Sequence, residues 1–176
     1  FVSYLVEGAV GDWSALYLFE DKGIVIQEAV MGVMLFNGTM CIGRLLGNTI
    51  GKHVTSKQVV VGGYLLGAIA MALIVFLPGH ASMYTYLLLG ISLAMVVPNL
   101  FSAMGEQNVI PMTQAVATST MLGYMGILMG PALIGFIAHG TSLTIAFIVL
   151  TVLLVISAGI GKYAYYLMNK NCGIEE

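Results

Sequence analysis

Six apolar stretches, each about twenty residues long, run along the chain at about 1–19, 28–48, 58–77, 83–104, 115–138 and 143–166, set off by charge, Gly, Pro or Asn. A bilayer's hydrocarbon core is about 30 Å thick and a helix rises about 1.5 Å per residue, so each stretch has the length of one crossing. Composition removes the alternative of a buried soluble core. Of the 176 residues 59% are hydrophobic and 8% charged, and the mean hydropathy is +0.98. The sequence therefore predicts an all-α membrane protein, a bundle of six transmembrane helices spanning 1–176.

The few charges orient this bundle. Arg44, Lys52, Lys57, Lys162 and Lys170 fall on one side and Lys22 alone on the other. The positive-inside rule then puts both ends of the chain in the cytoplasm and the segment "EDKG" at 20–23 outside. A net charge of −2 with no basic run gives no reason to expect nucleic acid as a partner. Cys41 and Cys172 read as free thiols. Residue 1 is Phe and the chain starts inside an apolar stretch, so it reads as a piece of a longer protein.

The spans differ in polarity. Within the hydrocarbon the third and sixth hold no charge and nothing more polar than Tyr, Ser or Thr, and they read as peripheral helices facing lipid. The first carries Ser3, Glu7, Asp12 and Ser14, and the second Asn37 and Thr39. The fourth carries Ser92, Asn99 and Ser102, and the fifth Gln114, Thr118, Ser119, Thr120 and Tyr124. Polar side chains avoid lipid, so spans one, two, four and five are expected to enclose a cavity. Two lining helices followed by one peripheral helix, twice over, is the hydropathy symmetry of nested three-helix repeats.

Glu7 lies about 18 Å from the outer end of its span, near mid-depth, and Asp12 about 7.5 Å nearer the outside. About 140° of helix rotation separates them, so they are no carboxylate pair. An intramembrane carboxylate is costly unless paired, hydrated or protonated. Glu7 can serve as a proton-exchanging acid or as a structural acid bonded to a neighbouring helix. Asp12 can bind solute or cap a helix break. Trp13 can anchor at the interface or offer a face to a sugar ring. Asn37, Asn99 and Tyr124 are candidate polar contacts for a hydroxylated solute, with bonding between helices as the alternative role of the amides. Pro98 frees a carbonyl one turn back and marks a hinge beside Asn99. Gly43, Gly47 and Gly51 form one small-residue stripe, and Gly123, Gly126, Gly130 and Gly135 another around a kink at Pro131.

His53, His80 and His139 are scattered over both sides and assemble no metal site. With no zincin, nucleophile-elbow or nucleotide-loop motif, neither an enzyme nor a cofactor is expected.

Four segments carry a family likeness: "EGAVGDWSALYL" at 7–18, "GRLLGNTIGKHV" at 43–54, "VVPNLFSAMG" at 96–105 and "TMLGYMGILMGPALIGFIA" at 120–138. Together they resemble the C-terminal half of a major facilitator superfamily transporter, nearest the fucose-permease-like bacterial branch. The resemblance implies helices seven to twelve of a twelve-helix fold, the N-terminal half lying outside this chain and acting as its partner. It implies alternating access by rocking of two bundles, a bacterial inner membrane, and a small-molecule solute. Proton-coupled symport of a sugar or similar polar solute is the leading expectation. Proton-driven export of an apolar or cationic compound is the alternative, and a non-transporting scaffold or channel the third. Such transporters carry an Asp and a basic residue after helix eight, where this chain has Asn48 and Thr49. Arg44 and Gly47 remain as the cytoplasmic gate, and Arg44 is expected to turn instead to Glu106.

Overall fold

The computed structural model describes residues 1–50, 54–106 and 110–172, the side chains at 48–50, 106 and 169–172 excepted. Gly51, Lys52 and His53 therefore lie outside the described residues, as do the side chains of Asn48, Thr49, Glu106, Lys170 and Cys172. Seven helices follow one another: α1 (Val2–Glu20), α2 (Ile26–Ile50), α3 (Ser56–Phe76), α4 (Gly79–Ala94), α5 (Val96–Glu106), α6 (Met112–Gly140) and α7 (Leu143–Cys172). No strand occurs among the described residues.

Five stretches are long and apolar enough to cross a membrane: Ile26–Gly47, Ser56–Phe76, Gly79–Gly105, Met112–Gly140 and Leu143–Met168. The protein is an integral membrane helical bundle. Six apolar spans were expected, and α1 is the exception. It has the length, but Glu7, Asp12, Trp13 and two serines dilute its apolar residues. It is instead the polar helix of the bundle, packed against α2, α4, α6 and α7.

The stretch expected as one helix over 83–104 begins at Gly79 and is broken at Met95. Pro98 has no N–H to give the Ala94 carbonyl, so the ladder fails there. Asn99 ties the start of α5 to the break, its backbone N–H and side-chain Nδ2 both donating to the Met95 carbonyl, at 3.2 and 2.8 Å.

Local chemistry sets the other ends. Thr55 and Gln58 form a reciprocal capping box at the start of α3. Its far end is closed from the α1–α2 connection: Lys22 Nζ donates to the carbonyls of Val75 at 2.6 Å and Leu77 at 2.9 Å, lying 5.4 Å from the Tyr17 ring centre. Burial holds the Lys22 pKa below the usual lysine range, with Asp21 opposing. On that same end, called the outer end below after the side on which the sequence is expected to place it, His80 Nε2 meets Glu28 Oε2 at 2.8 Å, joining α4 to α2.

Lipid tails are as apolar as leucine, so these helices associate by packing rather than by escape from water. α1 seats on α6, α2 on α4, and α3 on both α7 and α4. Small residues carry the contacts. A Cβ on Gly126 would meet the Phe1 carbonyl oxygen and one on Gly130 that of Leu5, while Gly43 fits against Ala94 and Gly47 against the Met95 thioether. Tyr17 and Phe147 stack at 4.3 Å where α1 meets α7.

Between 22% and 28% of the α6 and α2 spans is buried, against 44% for α3 and 39% for the α4–α5 and α7 spans, so α2 and α6 are the least covered of these spans. The exposed faces also differ in kind. On α7 the exposed residues from Ile145 to Ile160 are apolar throughout, and within α3 Leu65, Leu66, Ile69 and Phe76 are exposed. The exposed side of α1, α2 and α6 includes Asp12, Asn37, Arg44, Gln114, Thr118 and Tyr124.

Candidate functional site

The site starts from a hairpin. α1 and α2 are antiparallel across a connection at 21–25, where Gly23 takes a φ of +67°. Glu7 stands thirteen residues from the outer end of α1, and Arg44 eighteen residues from the start of α2. At 1.5 Å per residue, Arg44 sits about 7.5 Å deeper than Glu7. Its side chain spans that difference: Arg44 Nη2 donates to Glu7 Oε2 at 3.3 Å, with the side chains 44% and 23% exposed. The expected Arg44–Glu106 contact falls on a side chain outside the described residues; among the described residues Arg44 meets Glu7. The pairing could have been sought by counting back from the α1–α2 connection and allowing for the reach of an arginine.

The direction of that reach is informative. The last residue of α2, Ile50, is six residues beyond Arg44, about 9 Å away. Arginines near a helix end ordinarily extend toward the interface. This one extends the other way, to the Glu7 carboxylate.

Asn37, Cys41 and Arg44 share one exposed stripe of α2, at i, i+4 and i+7. Asn37 Nδ2 donates to the Val33 carbonyl of its own helix at 3.0 Å, and no hydrogen bond to its Oδ1 occurs among the described residues. By the same count Asn37 stands within about 3 Å of the depth of Glu7. Tyr124 is 65% exposed on α6, next to Gly123, which packs over the Tyr4 ring. Glu7 and Asn37 thus lie at similar depth and Arg44 about 7.5 Å deeper than Glu7, and these three with the exposed Tyr124 of α6 are called the polar band below.

Other candidates are placed elsewhere. Asp12 is exposed toward the outer end. The Trp13 indole donates to the Pro131 carbonyl at 2.9 Å, and its ring lies where a Cβ on Gly135 would come within 2.9 Å. Pro131 leaves the Ile127 carbonyl without its donor, and Gly8 packs directly over that oxygen, 2.6 Å from where a Cβ would stand. Asn99 and Pro98 belong to the α4–α5 break, against which Gly43 and Gly47, flanking Arg44 in sequence, are seated.

Three serines expected to face a cavity are turned into the packing. Ser3 shares a 2.8 Å hydrogen bond with the Tyr64 hydroxyl of α3, Ser92 donates to the Leu89 carbonyl, and Ser14 is fully buried. A hydroxyl is small enough to be satisfied between helices, so its presence in a span does not mark a pathway.

Two openings flank the band. At the outer end a cavity of about 480 Å³ is lined by Trp13, Glu20, Asp21, His139 and Ser142 among others. Toward the opposite end one of about 110 Å³ lies between Tyr4, Phe101, Met104 and Ser119. No group of three or more His, Cys, Asp or Glu able to hold a metal occurs among the described residues.

The apolar helices define an integral membrane protein, and the similar proteins carry membrane-protein or transporter names or a resistance name. Over 148 residues the chain is 41% identical to an uncharacterized MFS-type transporter of Yersinia pestis, covering 84% of this chain and 38% of the relative. It is 28% identical to membrane protein MosC of Rhizobium meliloti, over 81% of this chain and 35% of that protein. With the fosmidomycin resistance protein of Escherichia coli K12 it shares 26% identity, over 84% of this chain and 36% of that protein. The chain thus spans well under half the length of the relatives it matches. No family model matches the chain, and no solved structure matches it.

Proposed function

We propose that this chain is a six-helix half, the C-terminal one, of a major facilitator superfamily transporter of the fucose-permease-like branch. It moves a small polar solute by proton-coupled symport across a bacterial inner membrane, with both ends of the chain cytoplasmic. The solute path runs along the uncovered face of α1, α2 and α6, against the N-terminal half. The observation that supports this reading most is the Glu7–Arg44 ion pair joining α1 to α2, with both side chains partly exposed. A carboxylate held by an arginine inside a bilayer has two well-defined states, ion-paired and protonated, and the second differs from the first by one proton. Asn37 and Tyr124 supply neutral polar contacts in the same band, and Arg44, with Gly47 seated on the α4–α5 break, links the acid to the inner gate. Asp12 stands at the outer mouth, and Trp13 fixes α1 to α6 beside it.

The test is uptake into membrane vesicles holding the protein as its gene encodes it, driven by an imposed proton gradient. Glu7→Gln is expected to abolish accumulation while leaving gradient-independent exchange of solute. Undiminished accumulation in that variant removes Glu7 from the coupling.

Proton-driven export is the second reading, favoured by two observations. One similar protein is named for resistance to fosmidomycin. In addition Met31, Met34, Met121, Met125 and Met129 are exposed on α2 and α6, and methionine accommodates varied apolar surfaces. Solute leaving inverted vesicles' medium for their lumen, against its gradient when the lumen is acid, would favour export over uptake.

A further inference from the structure

We propose that Arg44 receives a monoanionic group of the transported solute when Glu7 takes up a proton, so that anion and proton occupy the site together. This rests on Glu7 as the coupling acid and adds the class of solute, which the preceding reading leaves open.

In the structure Arg44 has one hydrogen bond among the described residues, the single-ended 3.3 Å contact to Glu7. A guanidinium carries five N–H donors in a planar fork that matches a carboxylate, sulfonate or phosphonate two bonds at a time. Most of that capacity is unspent, and the side chain is 44% exposed on the uncovered face.

Charge balance supplies the rest. Of the other ionisable groups described on the elements packed against α1, α2 has the exposed Cys41 one turn from Arg44, α4 has the exposed Tyr84, and Glu28 of α2 and His80 of α4 are paired with each other at the outer end. α6 has His139 at its outer end and Tyr124 in the band, α7 has Lys162 toward the opposite end, and Tyr86 of α4 is buried. Within α1, Asp12 is exposed one and a half turns outward. None is paired with Arg44. When a proton from water adds to Glu7, the carboxylate charge is lost and Arg44, partly exposed on this face, is left without a counter-charge among the described residues. An anion accepting from the freed N–H groups returns the site to zero net charge. The site is neutral in both forms, Arg44 with ionised Glu7, or Arg44 with protonated Glu7 and the anion. A neutral sugar would leave the cation uncompensated.

Methanesulfonate, a monoanion at every pH a protein tolerates, and the near-isosteric neutral dimethyl sulfone make a matched pair of probes for the purified full-length protein. Thermal unfolding is followed at constant ionic strength. Glu7→Gln stands for the protonated acid, and its midpoint is expected to rise by about 2 to 4 °C with methanesulfonate at every pH and not with dimethyl sulfone. The unsubstituted protein is expected to show that rise only on acidification, and Arg44→Gln not at all. Arg44→Lys, which keeps the charge and loses the fork, is expected to show less than half of it and serves if Arg44→Gln does not fold. No methanesulfonate effect in Glu7→Gln, or an equal effect with dimethyl sulfone or in the Arg44 variants, overturns the inference. Loss of proton-driven accumulation in Glu7→Gln without any anion effect defeats this inference alone. Retained accumulation defeats the reading beneath it.

Discussion

The Trp13 indole of α1 donates its N–H to the carbonyl of Pro131 in α6, 118 residues away, at 2.9 Å. About one and a half turns before it on α1, Gly8 lies over the Ile127 carbonyl that the same proline deprives of its helical donor. The proline thus costs α6 one ladder bond and offers α1 two points of attachment. Trp13→Phe keeps the ring packing against Gly135 and removes only the hydrogen bond. Interhelical bonds of this kind contribute about 0.6 to 1.7 kcal/mol, so the thermal midpoint in detergent is expected to fall by a few degrees. An unchanged midpoint would mean that the bond contributes nothing to holding α1 on α6.

Glycines on the α1–α6 seam differ from those facing lipid by what stands over them. A Cβ on Gly130 meets the Leu5 carbonyl oxygen, a backbone atom that yields only if the helices part. Gly62, exposed on α3, has nothing within 4 Å. Gly130→Ala is expected to cost about 1 to 3 kcal/mol, in the range of other overpacked sites. Gly62→Ala is expected to cost nothing, since alanine is the better helix residue by up to about 1 kcal/mol. Equal effects of the two substitutions, read by thermal unfolding side by side, would contradict the seam.

The existence of the helices was legible because each apolar window is long and ends on charge or on Pro, Gly and Asn. Pro98 likewise announced an irregularity, since a missing donor is a property of the residue itself. What could not be read was direction. Ser3, Ser14 and Ser92 count as polar in a sequence, yet each is folded between helices, where a tyrosine hydroxyl or a helical carbonyl suffices for Ser3 and Ser92. Trp13 suggested an interface anchor or a sugar platform, but its polar edge is spent on Pro131. The partner of Glu7 was hidden because Arg44 is thirty-seven positions away and reaches it only through the α1–α2 hairpin.

Lys22 closes the C-terminal end of α3 from a different segment of chain, donating to Val75 and Leu77. Carbonyls at a helix end have no partner within the helix, and a cation there also meets the negative end of the helix dipole. Lys22→Met retains the stem over Tyr17 and removes the donors. It is expected to cost about 1 kcal/mol. Hydrogen exchange should localise the change, with faster exchange in the last turn of α3 and the α3–α4 connection. Faster exchange spread evenly over the bundle would argue against a local cap.

A thermodynamic cycle on Glu7 and Arg44, without any solute, asks what the pair does for the resting bundle. Each single change strands a charge: Glu7→Gln leaves Arg44 unpartnered and Arg44→Gln leaves Glu7 so. Exposed ion pairs contribute about 0 to 1 kcal/mol, whereas breaking a fully buried one costs about 3 to 5. With side chains 44% and 23% exposed, the pair belongs nearer the first range, and each single variant is expected to lose about 1 kcal/mol. The double variant strands nothing. It should therefore lose less than the two singles together, by at least about 0.5 kcal/mol, the coupling typical of groups in contact. Strict additivity would mean that the two side chains meet without stabilising the bundle. In that case Arg44 reaches inward for the sake of the solute path and not for the fold.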